Sequence, residues 1–175
     1  MIWRGITRTG TKTRRSVANS LINRPSPECA PVHSKAAGLY MICTLSKHAA
    51  EADGFDDALM LDWRGQIAET TGANVFLVID GVIHTPTPDC FLNGITRRSV
   101  IDLARGHGIE IVERAIMPDE LSKAAEIFVT GTAAEVTPVS QIDAMTFTVG
   151  PITKMLLADY DQLVRQPSGA NTSVS

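Results

Sequence analysis

Apolar and weakly polar positions follow two different spacings along the chain. Over residues 34–53 they recur at three and four, with Ala37, Tyr40, Met41, Thr44, Leu45, His48 and Ala52 on one helical face and Gly54 as a stop. That spacing predicts a helix with this face turned inward and His48 packed in the core. Residues 56–61 alternate well enough for a strand, Trp63-Arg64-Gly65 reads as a turn, and residues 66–69 return as the partner strand of a hairpin. The unbroken apolar run 75–79 predicts a buried strand, and Asp80-Gly81 a tight turn into residues 82–84. A second helix follows Gly94-Ile95-Thr96-Arg97 through Ser99, Val100, Leu103 and Ala104, and stops at Gly106-His107-Gly108. Further strands are expected at 109–112, 126–130, 136–139 and 145–149. Pro118-Asp119-Glu120-Leu121 opens a short helix with proline and acids in its first turn, as the helix dipole favours. Gly150-Pro151 starts a last amphipathic helix that uses Ile152, Met155, Leu156 and Leu163. Hairpins interspersed with helices are compatible with a mixed α/β fold.

Composition narrows this picture. The chain has 175 residues, 44% of them hydrophobic, which is enough for one domain with its own core. No apolar run is long enough to span a bilayer as a helix. The net charge of −3 is unevenly spread: six basic residues and no acid precede Glu28, so the remainder holds ten basic residues against nineteen acidic ones. An acidic body of this kind is not built to bind nucleic acid. Three readings of residues 1–27 stay open: a disordered basic arm, an organellar transit peptide, or a remnant of an upstream domain. Arg24-Pro25-Ser26-Pro27 and Ala30-Pro31 form a stiff connector. The expected organisation is a basic leader at 1–27, a single domain at 28–165, and a polar, disordered tail at 166–175. Cys29, Cys43 and Cys90 are odd in number and far apart, which suits neither a disulfide framework nor zinc. A reducing compartment follows, with the cytoplasm expected and an organelle kept open by the leader.

Four polar constellations fall at element ends, where sites are usually built. Lys35 stands among small residues in Ser34-Lys35-Ala36-Ala37-Gly38-Leu39-Tyr40, which leaves room for a flat ring to approach its amine. In a dry site such an amine is driven toward its neutral, nucleophilic form. Glu69 closes a predicted strand beside Thr70-Thr71-Gly72. Gly94-Ile95-Thr96 precedes a helix, where free amides and a hydroxyl suit an anion. Gly131-Thr132-Ala133 leaves a strand as a turn of small residues, with amides and a hydroxyl to offer a phosphate or carboxylate.

These runs, in this order, carry a resemblance. Residues 34–40, Asp56-Asp57-Ala58-Leu59-Met60-Leu61-Asp62, residues 67–76, His84-Thr85-Pro86-Thr87-Pro88, Gly94-Ile95-Thr96-Arg97 and residues 130–139 are similar to the corresponding stretches of the branched-chain amino acid aminotransferases. Residues 24–165 as a whole resemble the large, C-terminal domain of these fold-type IV enzymes, which use pyridoxal 5′-phosphate (PLP). The resemblance implies a mixed α/β pseudo-barrel. It implies that Lys35 binds the cofactor covalently and moves the substrate proton, that Tyr40 contacts the ring oxygen, and that Glu69 faces the ring nitrogen. A carboxylate there raises the nitrogen's pKa and keeps the ring an electron sink. Ile95 and Thr96 match the phosphate clamp, Thr132 a further phosphate contact, and the amides of Thr132 and Ala133 the receptor for the substrate carboxylate. The implied reaction passes an amino group from leucine, isoleucine or valine to a 2-oxo acid, typically 2-oxoglutarate. The implied assembly is a homodimer or higher homo-oligomer, with no nucleic acid or membrane as partner. D-amino acid aminotransferases and aminodeoxychorismate lyases share the fold, and the turn at 61–65 and the run at 132–138 look closest to the branched-chain group. The family's small N-terminal domain has no counterpart before Arg24, so a catalytically inactive PLP-binding or dimerisation fragment stands as the alternative.

Overall fold

The computed structural model describes residues 15–20 and 22–165. Nine strands and three α-helices occur among them, in the order β1 (Arg15–Asn19), α1 (Ala37–Ala52), β2 (Asp57–Leu61), β3 (Ile67–Thr70), β4 (Asn74–Ile79), β5 (Val82–Pro86), α2 (Ile95–Gly106), β6 (Ile111–Arg114), β7 (Glu126–Gly131), β8 (Glu135–Ile142), β9 (Met145–Thr146) and α3 (Pro151–Arg165). A short 3₁₀ helix, Pro118–Lys123, stands where the short helix is expected.

The strands run β3-β2-β1-β8-β7-β4, and β4 pairs back onto β3, so six strands close into a barrel. β5 and β6 extend from the outer edge of β4, and β9 pairs with β8. Closure rests on one short contact, Glu69 opposite Asn74. Side chains alternate across the barrel wall with the period of two that a pleated strand imposes. Val17, Leu59, Ile67, Val75, Leu77, Ile127, Val129 and Val139 form one core cluster drawn from all six strands, which is the barrel interior. The intervening Phe76, Val78, Phe128 and Val136 face outward and meet Val100, Ile101 and Ala104 of α2 and Leu156 and Tyr160 of α3. Phe76 and Phe128 stack at 4.9 Å between centroids. The Asp80-Gly81 turn is as expected: both residues have positive φ, 51° and 82°, as a two-residue hairpin with the matching twist requires.

Two expectations are corrected. Residues 15–19, assigned to a leader, form β1, which lies parallel to both β2 and β8 in the barrel wall. The strand is short and one-sided, Val17 filling the barrel and Ala18 facing α1, so its apolar period is too brief to register. Residues 1–14 of that leader and the expected tail at 166–175 lie outside the described residues. The second correction concerns α1. Tyr40, Met41 (65% exposed), Leu45 (55%) and His48 point outward, and Cys43, Ser46 and Ala50 are the buried face. The two faces share the same helical spacing. Close approach of a helix to β1 and β2, against Ala18 and Ala58, selects the one with small side chains, and Ser46 Oγ sits 2.7 Å from Ser20 Oγ. The strand expected at 145–149 shortens to β9.

α3 is anchored at its start by a buried acid. Glu126, at the start of β7, accepts from the Thr153 amide at 2.8 Å and the Ile152 amide at 3.3 Å, satisfying two of the donors a helix N-terminus leaves open. Gly150 makes room for it, since a Cβ there would lie 2.1 Å from the carboxylate. Glu126→Ala is therefore expected to lower stability by about 1–2 kcal/mol in urea unfolding, the worth of a good cap. Gly150→Ala should cost a similar amount by expelling the carboxylate, and the double variant little more than either alone. Additive losses would show that the glycine serves some other purpose.

Candidate active site

An open cleft of about 150 Å³ lies outside the barrel, against its closing pair. Its walls come from five places: Arg24, the approach to α1 with Lys35 and Tyr40, the β3–β4 connection with Glu69, Leu92 and Gly94 before α2, and Gly131 and Thr132 at the end of β7. Lys35, Tyr40, Glu69 and Thr132, singled out separately in the sequence, thus share one cavity.

Each side chain is delivered by a specific local feature. Lys35 sits two residues before α1, in a segment tightened by Ser34 N–H to Pro31 O (2.9 Å) and Ala36 N–H to Ser34 O (2.8 Å), and its side chain is exposed. Tyr40 is in the first turn of α1. Glu69 depends on a register shift. Met60 pairs with Glu69 but Leu61 pairs with Ile67, so Ala68 is an extra residue on β3 and Glu69 is out of phase with the inward Ile67. Bulges of this kind re-aim side chains beside functional sites. The β3–β4 connection is held to β2 by Thr71 Oγ1, which donates to the buried Asp57 carboxylate.

The electrostatic centre is Glu69. Burial pushes its pKa up to about 8, Arg24 opposes that rise, and Asp57 adds to it. Arg24 is itself buried, with Nε 3.5 Å from Glu69 Oε1 and 3.2 Å from the Cys90 carbonyl, and with Nη1 3.4 Å from Cys43 Sγ. Sequence reasoning placed Arg24 only in a connector. Its backbone bridge to Asp62, which sets it beside β3, follows from β1 lying in the barrel. Burial raises the Cys43 thiol pKa, so it is not poised as a nucleophile.

The other end of the cleft is the start of α2. Arg98 N–H makes the first intrahelical bond, to Gly94 O at 3.1 Å, and no side chain caps the helix. The amides of Ile95, Thr96 and Arg97 therefore have no acceptor within the helix, which suits an anion. Arg97, fully buried, locks this turn through Pro86 O (3.0 Å), Asn93 Oδ1 (3.0 Å) and Glu113 (2.8 Å). Three residues are placed differently from expectation. Ile95 is 74% exposed and does not line the cleft. Thr96 is buried with its hydroxyl 3.3 Å from Tyr160 Oη, on the α3 side, so only its amide remains for an anion. Ala133 is exposed one residue beyond Thr132 and is not part of the lining. A helix turns 100° per residue, so adjacent side chains cannot share one target, and Gly94 is what α2 presents to the cleft.

A lysine amine, a phenol, a buried acid and a helix N-terminus around one cavity suit a flat, phosphorylated heterocycle. The donor set fits such a group at both ends: an acid of raised pKa for a basic ring nitrogen, and open amides for a phosphate. The fold is that of the fold-type IV aminotransferases. The chain belongs to the amino-transferase class IV family, whose profile matches residues 8–142. Among its relatives is a probable branched-chain-amino-acid aminotransferase of Rickettsia felis, 41% identical over 144 residues, which are 80% of this chain and 50% of the relative. Among solved structures, the branched-chain aminotransferase of Thermoproteus uzoniensis with norvaline superposes with a TM-score of 0.85 at 38% identity, over 87% of this chain and 52% of that one. An aminotransferase from Brucella abortus bound to the co-factor PLP gives 0.85 at 35% identity, over 90% and 56%. The chain spans about half the length of the curated relatives it matches.

The raised pKa of Glu69 makes stability depend on pH. Below about pH 4.5 the group is protonated in both folded and unfolded chains. Between about 4.5 and 8 the folded state keeps a proton that the unfolded chain has released, so stability falls as pH rises through this window and levels above it. Glu69→Gln removes that contribution. Urea unfolding across the window is expected to show the variant gaining on the wild type as pH rises, and a difference flat with pH would contradict the assignment.

Proposed function

We propose that this chain is the cofactor-bearing half of a PLP-dependent aminotransferase that moves the amino group of leucine, isoleucine or valine to a 2-oxo acid such as 2-oxoglutarate. The observation that carries the reading is the convergence of Lys35, Tyr40, Glu69 and Thr132 on one cleft that ends at the open amides of α2. Kinship with proteins named for branched-chain amino acids supports the substrate class. Bound there, PLP supplies an electron-withdrawing ring that stabilises negative charge at the substrate's α-carbon.

The protein's own groups do the rest. Lys35 supplies the amine that holds the cofactor and afterwards shuttles the proton at the substrate Cα. Glu69, its pKa pushed up to about 8 by burial, is mostly protonated at neutral pH and would supply that proton to a basic ring nitrogen, leaving a carboxylate to pair with the cation. Arg24 holds that carboxylate in place. Tyr40 would orient the ring oxygen, the open amides of Ile95, Thr96 and Arg97 in the first turn of α2 would receive the phosphate, and Thr132 and the turn that carries it would receive anionic groups of cofactor and substrate. The exposed stripe of Tyr40, Met41 and Leu45 beside the cleft supports association with a second copy of the chain.

Addition of PLP to the purified chain is expected to shift the cofactor's absorbance toward the visible, and Lys35→Ala to abolish the shift. Leucine and 2-oxoglutarate should then yield glutamate. Cofactor capture by Lys35 without glutamate formation would favour the reading in which this half-length chain binds the cofactor but needs further polypeptide for turnover. No capture would overturn both.

A further inference from the structure

The residue opposite Glu69 in the barrel-closing pair has no part in the functional reading so far. Asn74 is buried at the start of β4 and its side chain reaches across the cleft's edge to the segment before α2. Its Nδ2 donates to the Leu92 carbonyl at 3.0 Å, and its Oδ1 accepts from the Gly94 amide at 3.3 Å. One amide group thus uses both its ends on a single loop. Gly94 accommodates this contact: a Cβ there would lie 2.7 Å from Asn74 Oδ1, closer than real Cβ atoms come. On its backbone side Asn74 pairs with Glu69 of β3 and with Thr130 of β7, the residue before the Gly131 and Thr132 turn. Three walls of the cleft are therefore referred to one residue.

We infer that Asn74 is a positioning residue that sets the separation between the Glu69 carboxylate and the N-terminus of α2, and so matches the cleft to a heterocycle carrying a phosphoryl group at a fixed distance from its ring nitrogen. The inference rests on the cofactor reading above and adds to it the residue that fixes the spacing. Glu69 and α2 belong to elements separated by a hairpin and a proline-containing loop, and backbone pairing alone does not tie them. The Leu92–Gly94 segment contributes no strand or helix bond of its own before Arg98 N–H reaches Gly94 O. The Asn74 amide ties Leu92 and Gly94, the residues leading into α2, to β4 beside Glu69, while Arg97 ties the same turn to Pro86 of β5 and Glu113 of β6. A buried amide with both ends engaged is costly to replace, because either partner left unpaired loses its solvation without compensation.

The test separates this spacing role from ordinary stability and from the cofactor reading itself. Hydrogen exchange is measured on the ligand-free chain for wild type, Asn74→Ala and Asn74→Asp. Asn74→Ala is expected to speed exchange of the Gly94 amide roughly tenfold or more while interior amides such as Leu59 keep their rates, and Asn74→Asp, which retains the acceptor, to restore protection at Gly94. Affinities for PLP and for pyridoxal, which lacks the phosphate, are then compared. Asn74→Ala should reduce the preference for the phosphorylated form about tenfold, and Asn74→Asp should reduce it too, by adding negative charge beside the anion end. Unchanged Gly94 exchange, or equal weakening of both ligands, would overturn the positioning role while leaving the cofactor reading intact. A wild-type chain with no preference for PLP over pyridoxal would overturn both.

Discussion

The barrel of this protein is closed where β3 meets β4, by a single residue pair, Glu69 and Asn74. β3 has four residues and spends most of them on β2, so little is left to complete the ring. Here both partners are polar and both border the cleft, Glu69 turned away from the interior by the bulge on β3 and Asn74 by its alternation with inward Val75. The fold's weakest seam and its chemical site are the same place.

Burying Glu69 in that seam needs compensation by a proton or a counter-charge. The structure supplies something of each: a pKa near 8 keeps a proton within reach at neutral pH, and Arg24 stands at 3.5 Å as a partial counter-ion. This balance leaves the acid unsatisfied enough to favour a cationic ligand without making it unstable in its absence. A stronger salt bridge would leave nothing for a ring nitrogen. A weaker one would leave a neutral acid with no electrostatic grip. β1 makes the balance possible, because its place between β2 and β8 brings the following connector, and Arg24 with it, alongside β3.

Much of this was legible from the amino acids, and the parts that were not fail for identifiable reasons. The run Val75 to Ile79 with its Asp80-Gly81 turn, and the two helices opened by Gly94 and Gly150, announce themselves through local pattern alone. Lys35, Tyr40, Glu69 and Thr132 were recoverable because their neighbours match stretches of a known family. β1 was hidden because five residues with one inward and one outward apolar contact leave no period to detect. The face of α1 was inverted because spacing fixes a stripe but not its direction, and the larger side chains of Tyr40, Met41 and Leu45 mark the open side. The bulge at Ala68 and the burial of Arg24 are properties of strand pairing, which no local pattern contains. Ile95 and Thr96 match the family's wording, yet the side chains themselves face solvent and Tyr160, leaving their amides to do what the motif implies.

Barrel closure brings an acid of raised pKa and an anion-receiving helix start to one cleft that Lys35 also lines. A crystal structure of the chain grown with PLP tests it most directly. The expected map shows the ring nitrogen about 3 Å from the Glu69 carboxylate, the phosphate on the amides at the start of α2, and Lys35 Nζ bonded to the cofactor's carbonyl carbon. A ring seated with its nitrogen away from Glu69, or a phosphate held elsewhere than α2, would contradict it.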